Sequence, residues 1–228
     1  MSIKVGITMR VVNALSYNEP RDAISHDWVE LLLSNNLKFI LIPNCGDKVI
    51  DFLELNKVQA IILSNGNDIY DENIGVTLED VSKKRDLTEK SILRWAINNN
   101  IKTLGICRGF QLINVIYGGT LEYSLGDSHV GKTHRVNING STTQKYFNTK
   151  SIITNSFHNQ GIRIENLAEG LIPFATADDG IIEGFYVKNE PILAIQWHPE
   201  RKLDGNYFNN EMPINFLING AWWLKDNK

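Results

Sequence analysis

The alternation of apolar and polar positions divides the chain into two regimes. Through the first half, short apolar runs alternate with stretches of helical period. Lys4 to Thr8 reads as a strand, His26 to Asn35 as a helix, Phe39 to Ile42 as a strand, Val49 to Leu55 as a short helix and Ala60 to Leu63 as a strand. Asp86 is placed to cap the next helix, with Glu89 three residues later at capping-box spacing and Ile92, Leu93, Ala96 and Ile97 on its apolar face. Thr103 to Ile106 is a further strand. Such alternation predicts a parallel sheet covered by helices. From about His134 the pattern becomes short strands between Gly, Asn and Asp turns: Arg135 to Ile138, Ser151 to Thr154, Ile172 to Ala177, Ile181 to Val187 and Ile192 to Gln196. A last amphipathic helix is expected from about Pro213 to Leu224. With no repeat or linker in 1–228, the expectation is a single α/β domain: a three-layer sandwich with a mostly parallel central sheet. Its site should lie at the carboxyl ends of the parallel strands.

Composition narrows the function without naming it. The 228 residues, 43% hydrophobic and 21% charged, can bury a substantial core. A formal net charge of −3 with scattered basic residues supplies no general affinity for nucleic acid or membrane. No apolar run reaches the roughly 18 residues of a spanning helix, and Met1 to Thr8 reads as a first core strand rather than a signal peptide, so a cytoplasmic protein is expected. Cys45, in the turn Pro43-Asn44-Cys45-Gly46, reads as structurally incidental.

The chemistry concentrates at the other cysteine. Thr103-Leu104-Gly105-Ile106-Cys107-Arg108-Gly109 ends an apolar run in Gly-x-Cys-x-Gly, and a helical pattern follows from Phe110 to Ile116. This is the cysteine counterpart of the Gly-x-Ser-x-Gly elbow, in which a strained strand-to-helix turn displays the nucleophile. The helix starting near Arg108 turns its positive end towards the sulfur and favours the thiolate. Near the C-terminus a buried strand ends in His198-Pro199-Glu200. Along that proline-stiffened stretch Glu200 can hold one ring nitrogen of His198 and leave the other for the thiol.

A series of strings in fixed order carries a family resemblance. It runs Leu63-Ser64-Asn65-Gly66-Asn67-Asp68, Arg85-Asp86, Gly105-Ile106-Cys107-Arg108-Gly109-Phe110-Gln111, Asn114-Val115 and Gly118-Gly119-Thr120-Leu121. It continues with Asn155-Ser156-Phe157-His158-Asn159-Gln160, Asp179-Gly180-Ile181-Ile182-Glu183 and Ala194-Ile195-Gln196-Trp197-His198-Pro199-Glu200. Together they resemble class I glutamine amidotransferase domains, and among these the stand-alone γ-glutamyl hydrolases. The resemblance implies a flavodoxin-like fold, with Cys107 as nucleophile, His198 as general base and acid and Glu200 as its orienter.

The oxyanion generated by attack on an amide needs fixed donors. The backbone N–H of Arg108 is one candidate from the elbow. That of Gly66 is the other, where the resemblance also places a donor. Many relatives carry two glycines in this turn; here Asn65 occupies the first position, and asparagine tolerates a left-handed backbone. Gln111, one turn after Cys107, can point back to the same pocket, where the resemblance implies that it helps hold a γ-glutamyl group. Ser156, Phe157 and His158 match a family string beside the glutamyl site. His158 shapes that site or, alternatively, transfers a proton.

No metal is expected. His129 and His134 are five apart with no Cys or carboxylate at a familiar zinc spacing, and His26 stands alone, so all three read as structural or solvent-exposed. The expected chemistry is hydrolysis of a γ-glutamyl amide through a γ-glutamyl thioester, without a cofactor. A glutaminase subunit feeding a separate synthetase and a non-catalytic binding module are the alternatives. The Arg108-Gly109-Phe110-Gln111 and Asn155-Ser156-Phe157-His158 strings favour an autonomous hydrolase with no obligate synthetase partner; homo-oligomerisation stays open. Lys83-Lys84-Arg85, Lys132, Arg135 and Arg201-Lys202 lie in segments expected to border the site mouth. They suit an anionic leaving group, as in the γ-glutamyl nucleoside-diphosphoramidate hydrolases of bacterial capsule assembly. A cationic polyamine suits them less, and γ-glutamyl-γ-aminobutyrate hydrolases of polyamine breakdown are the other family analogy. Solvated surface charge is the alternative reading of the same clusters.

Overall fold

The computed structural model describes residues 3–69, 80–201 and 208–227. Its strands in chain order are β1 (Lys4–Thr8), β2 (Arg10–Asn13), β3 (Pro20–Ala23), β4 (Lys38–Ile42), β5 (Ala60–Leu63), β6 (Lys102–Ile106), β7 (Val130–Ile138), β8 (Ser151–Phe157), β9 (Leu171–Ala177), β10 (Ile182–Val187) and β11 (Ile192–Ile195). Its helices are α1 (His26–Ser34), α2 (Val49–Leu55), α3 (Lys83–Asn98), α4 (Arg108–Ile116), α5 (Ser141–Phe147) and α6 (Phe208–Asn219).

A nine-stranded sheet in the order β4-β1-β5-β6-β11-β10-β9-β7-β8 organises them. The neighbours from β4 to β11 are all parallel; from β11 to β8 every pairing is antiparallel. The period of two along each central strand sorts its side chains between two cores. Ala60 and Ile62 of β5, and Leu193 and Ile195 of β11, join Trp28 and Leu32 of α1 and Phe216 and Leu217 of α6. Ile61, Leu63, Ile192 and Ala194 meet Leu53 of α2, Ile92 and Leu93 of α3 and Phe110 and Ile113 of α4 on the other face. The expected α/β architecture, helices on both faces of the sheet, is therefore what forms.

The differences lie where charge or local geometry misleads a reading by pattern. Asp86 does not cap α3. The cap is Ser82, whose hydroxyl accepts from the Arg85 N–H at 3.3 Å, while Asp86 and Glu89 turn inward and pair with Arg108. A carboxylate that can reach a buried guanidinium gains more there than at a solvated helix end. The expected helix from Pro213 to Leu224 is instead α6 up to Asn219, broken at Gly220 (φ +83°), with a 3₁₀ turn over Trp222–Asn227. The β2–β3 hairpin and α5 carry little apolar periodicity and were not anticipated. β7 and β8 each run further than their apolar cores.

Candidate active site

The elbow forms because its two glycines leave no room for anything larger. A Cβ on Gly109 would stand 2.2 Å from the Leu63 carbonyl oxygen, and one on Gly105 would stand 2.6 Å from Ile113 Cδ1. β6 and α4 can therefore close on each other and on β5. Between them Cys107 adopts φ 50°, ψ −97°, a strained conformation for a side chain with a Cβ. Its N–H donates to the Ile195 carbonyl at 2.9 Å, which ties the elbow to β11.

The opposing wall follows β11. The side-chain amide of Asn155 on β8 accepts from the His198 N–H and donates to the His198 carbonyl, both at 2.8 Å, and so locates the histidine by its backbone. The ring Nδ1 lies 2.8 Å from Glu200 Oε1, and the ring also hydrogen-bonds the Cys107 sulfur. His198 and Glu200 are both buried. Burial disfavours the imidazolium, but Cys107, then Glu200, outweigh it and push the His198 pKa from 6.5 up to about 9. Gln196, which carried no assigned role in the sequence, donates from Nε2 to the Cys107 sulfur at 3.4 Å. Gln111 Nε2 in turn donates to the Gln160 carbonyl at 3.1 Å.

These groups open into a cavity of about 320 Å³ lined by Cys107, Arg108, Gln111, His158, Gln160 and His198 among others. Gly66 lines it as well, with φ +89°. The left-handed residues of its turn are Gly66 and Asn67 (φ 35°), whereas Asn65 is not left-handed and instead accepts from Trp28 Nε1 at 2.9 Å. The expected left-handed asparagine thus sits one place after the glycine. Ser156 is buried beneath the site, its hydroxyl donating to the His129 carbonyl at 2.6 Å, and is not among the lining residues. Phe157 packs edge-on to His198, and the Arg201 guanidinium stacks 4.1 Å over its ring.

The basic clusters separate. Arg201 lines the cavity, and so does Arg10, which was not singled out by sequence; Lys83, Lys84, Lys132 and Arg135 are not among the lining residues, and Lys202 lies outside the described residues. Arg85 is wholly buried. It donates to the Ser64 carbonyl at 2.8 Å and the Asn65 carbonyl at 3.1 Å, shaping the turn that presents Gly66, and it pairs with Glu89 at 2.9 Å. Arg108 bridges Glu89 and Asp86. Burial alone would raise the Glu89 carboxyl; Arg108 and Arg85 hold it below the usual range instead.

The histidines set aside by sequence spacing also gain a partner. Glu183 on β10, forty-nine positions after His134 in the chain numbering, enters the space between His129, His134 and His158, and it is fully buried. His26 is exposed. The string Asp179-Gly180-Ile181-Ile182-Glu183 was visible as a family match, but nothing local pairs it with histidines distant in the chain.

Residues 4–200 match the family described as Peptidase C26. The chain belongs to the Peptidase C26 family. This member is an amide hydrolase by family, and it has the class I glutamine amidotransferase-like fold. It is 37% identical over 210 residues to the gamma-glutamyl-CDP-amidate hydrolase of Campylobacter jejuni subsp. jejuni serotype O:2, covering 90% of this chain and 92% of that one. It is 29% identical over 182 residues to the glutamine-hydrolyzing GMP synthase of Dictyostelium discoideum, spanning 74% of this chain but 23% of the relative. The crystal structure of a glutamine amidotransferase from Thermotoga maritima superposes with a TM-score of 0.60 at 13% identity, covering 88% of this chain and 77% of that one. No helix among the described residues of this C26 member is long and apolar enough to cross a membrane.

Proposed function

We propose that the protein hydrolyses the amide bond of a γ-glutamyl conjugate with an anionic, nucleotide-like leaving group, of the γ-glutamyl-CDP-amidate type. The observation that carries this is the convergence of Cys107, His198 and Arg201 on one cavity, whose lining also holds Asp68 and the ion pair of Arg10 with Asp80 at 2.9 Å. The relative of 37% identity, matched nearly end to end, supports the substrate class.

In this reading the Cys107 thiolate attacks the γ-carbonyl carbon, and the N–H groups of Arg108 and Gly66 receive the developing oxyanion. His198, charged at neutral pH, passes its proton to the departing nitrogen as the carbon–nitrogen bond breaks. A γ-glutamyl thioester remains. His198, now neutral, takes a proton from water; the hydroxide displaces sulfur, and glutamate leaves. Glu200 keeps the ring turned with Nδ1 away from the sulfur. Gln196 donates to the sulfur in its anionic state, and Gln111, Phe157 and His158 border the glutamyl group, while Ser156 and the His158 N–H both donate to the His129 carbonyl. Arg201 on Phe157 offers a charged, stacked surface to phosphate and base.

The test is release of glutamate from γ-glutamyl-CDP-amidate, γ-glutamyl-γ-aminobutyrate, γ-glutamyl peptides and glutamine by the purified protein alone. Fastest turnover of the first supports the reading. Preference for γ-glutamyl-γ-aminobutyrate would move it to that hydrolase class. Glutamine turnover only with added cell extract would make the protein an ammonia donor, and no turnover of any amide would leave a binding module.

A further inference from the structure

Behind the glutamyl side of the cavity, three imidazole nitrogens point at one carboxylate oxygen without bonding it. His129 Nδ1, His134 Nε2 and His158 Nε2 stand 3.7, 3.5 and 3.4 Å from Glu183 Oε1. All three nitrogens and both Glu183 oxygens are buried and lack a hydrogen-bond partner. Such groups buried together ordinarily close to N–H···O distances of about 2.7–3.2 Å, because an unmade hydrogen bond in the interior is costly. Here the spacing stays wide. It matches the separation of ligand atoms around a zinc-like ion, where bonds of about 2.0–2.2 Å at tetrahedral angles put neighbouring donors about 3.3–3.6 Å apart.

The outward nitrogens of two of the rings are held as metal-ligating histidines are held. His129 Nε2 lies 2.7 Å from Asp179 Oδ2, and His158 Nδ1 lies 2.9 Å from the Gln160 carbonyl oxygen. A carboxylate or carbonyl that accepts from the far N–H keeps the ring proton on that nitrogen and leaves the inward nitrogen with a lone pair. One ligand atom each from His129, His134 and Glu183 lies within 4.8 Å of the others, so a small inward shift of the side chains would close them on a single ion.

We infer that His129 Nδ1, His134 Nε2 and the Glu183 carboxylate bind a divalent transition-metal ion, zinc by ligand type, with His158 beside it. Two imidazoles and one carboxylate favour zinc over magnesium or calcium, which seek oxygen-rich shells. The cation offsets the buried Glu183 charge. It also ties β7 to β10, and through His158 it bears on Gln160, which lines the cavity and accepts from Gln111. The role is structural: the ion is kept apart from the thiol chemistry and stiffens one wall of the site. This inference does not depend on the proposed substrate.

The test strips the full-length protein with a chelator, reconstitutes it with zinc or cobalt, and measures metal content, visible spectrum and melting temperature. Expected are one zinc per chain, a rise in melting temperature on reconstitution, and a cobalt spectrum with intense d–d bands but no thiolate-to-cobalt charge transfer. Cys107→Ala should retain the metal, whereas His134→Ala should lose at least tenfold in affinity. Glu183→Gln should lose it too; if that variant does not fold, the wild-type cobalt spectrum and His134→Ala still decide. Folded wild-type protein that takes up no stoichiometric metal would overturn the inference. So would a site that disappears in Cys107→Ala, since the ion would then sit on the catalytic thiol and His198.

Discussion

The two flanks of the cavity are built on opposite electrostatic plans. On the α3 side, two guanidiniums and two carboxylates, Arg85, Arg108, Asp86 and Glu89, cancel one another under the elbow and hold the Gly66 turn. On the antiparallel side, the ionisable groups are largely imidazoles with carboxylate partners: His198 with Glu200, and His129, His134 and His158 around Glu183. One flank is a scaffold of closed ion pairs. The other carries the imidazoles, and His198 among them stands against the Cys107 sulfur. The same burial therefore serves rigidity when charges come in complete pairs and reactivity when they do not.

The largest expected effect falls at the seam between the flanks. Cys107→Ala should lower kcat on the order of 10⁶-fold, as loss of a nucleophile does elsewhere. Glutamate release at the wild-type rate by that variant would end the proposal. Next, Glu89→Gln leaves two buried guanidiniums with one carboxylate between them, and it should cost about 3–5 kcal/mol of stability in urea unfolding. A loss under about 1 kcal/mol would show that the α3 flank is not the scaffold described.

The imidazole flank should instead answer to pH. His198, raised from 6.5 to about 9, keeps the proton it donates until the pH climbs through about 9, so kcat/KM should fall on the alkaline side there. Because the folded value is the higher one, its stabilising contribution is complete below about 6.5 and is lost as pH rises through about 9. Glu200→Gln should move the alkaline limb lower; an unmoved limb would assign it to another group. The smallest effect separates cavity from surface. Arg201→Glu should raise KM for an anionic γ-glutamyl substrate about tenfold, in line with loss of a single charge-assisted contact, while Lys83→Glu should stay within about twofold. Equal responses would contradict the division of the basic residues between the cavity and the outside.

The parallel half of the fold and the elbow were legible because both are local. Strand alternation needs only a few residues, and Gly105 and Gly109 announce the tight turn within the motif itself. What escaped was long-range or charged. Asp86 and Glu89 read as a capping box and Arg85 as part of a basic cluster at the site mouth, since sequence alone does not show that Arg108 approaches the carboxylates from another element. Glu183 was seen as part of a string, yet its meeting with His129, His134 and His158 depends on how four antiparallel strands pair. Gln196 sat inside a recognised run, but its orientation towards the sulfur could not be inferred from spacing.

Asn155 gives one more lesson. It grips His198 by both backbone groups, yet it belongs to β8, the rim strand of the sheet, paired on one side only with β7. The His198 imidazole is thus anchored from the periphery while the Cys107 sulfur is anchored at the centre. Fraying of that rim would unseat the imidazole and leave the elbow intact, so the enzyme could fall silent by loosening at its margin long before the molecule unfolds.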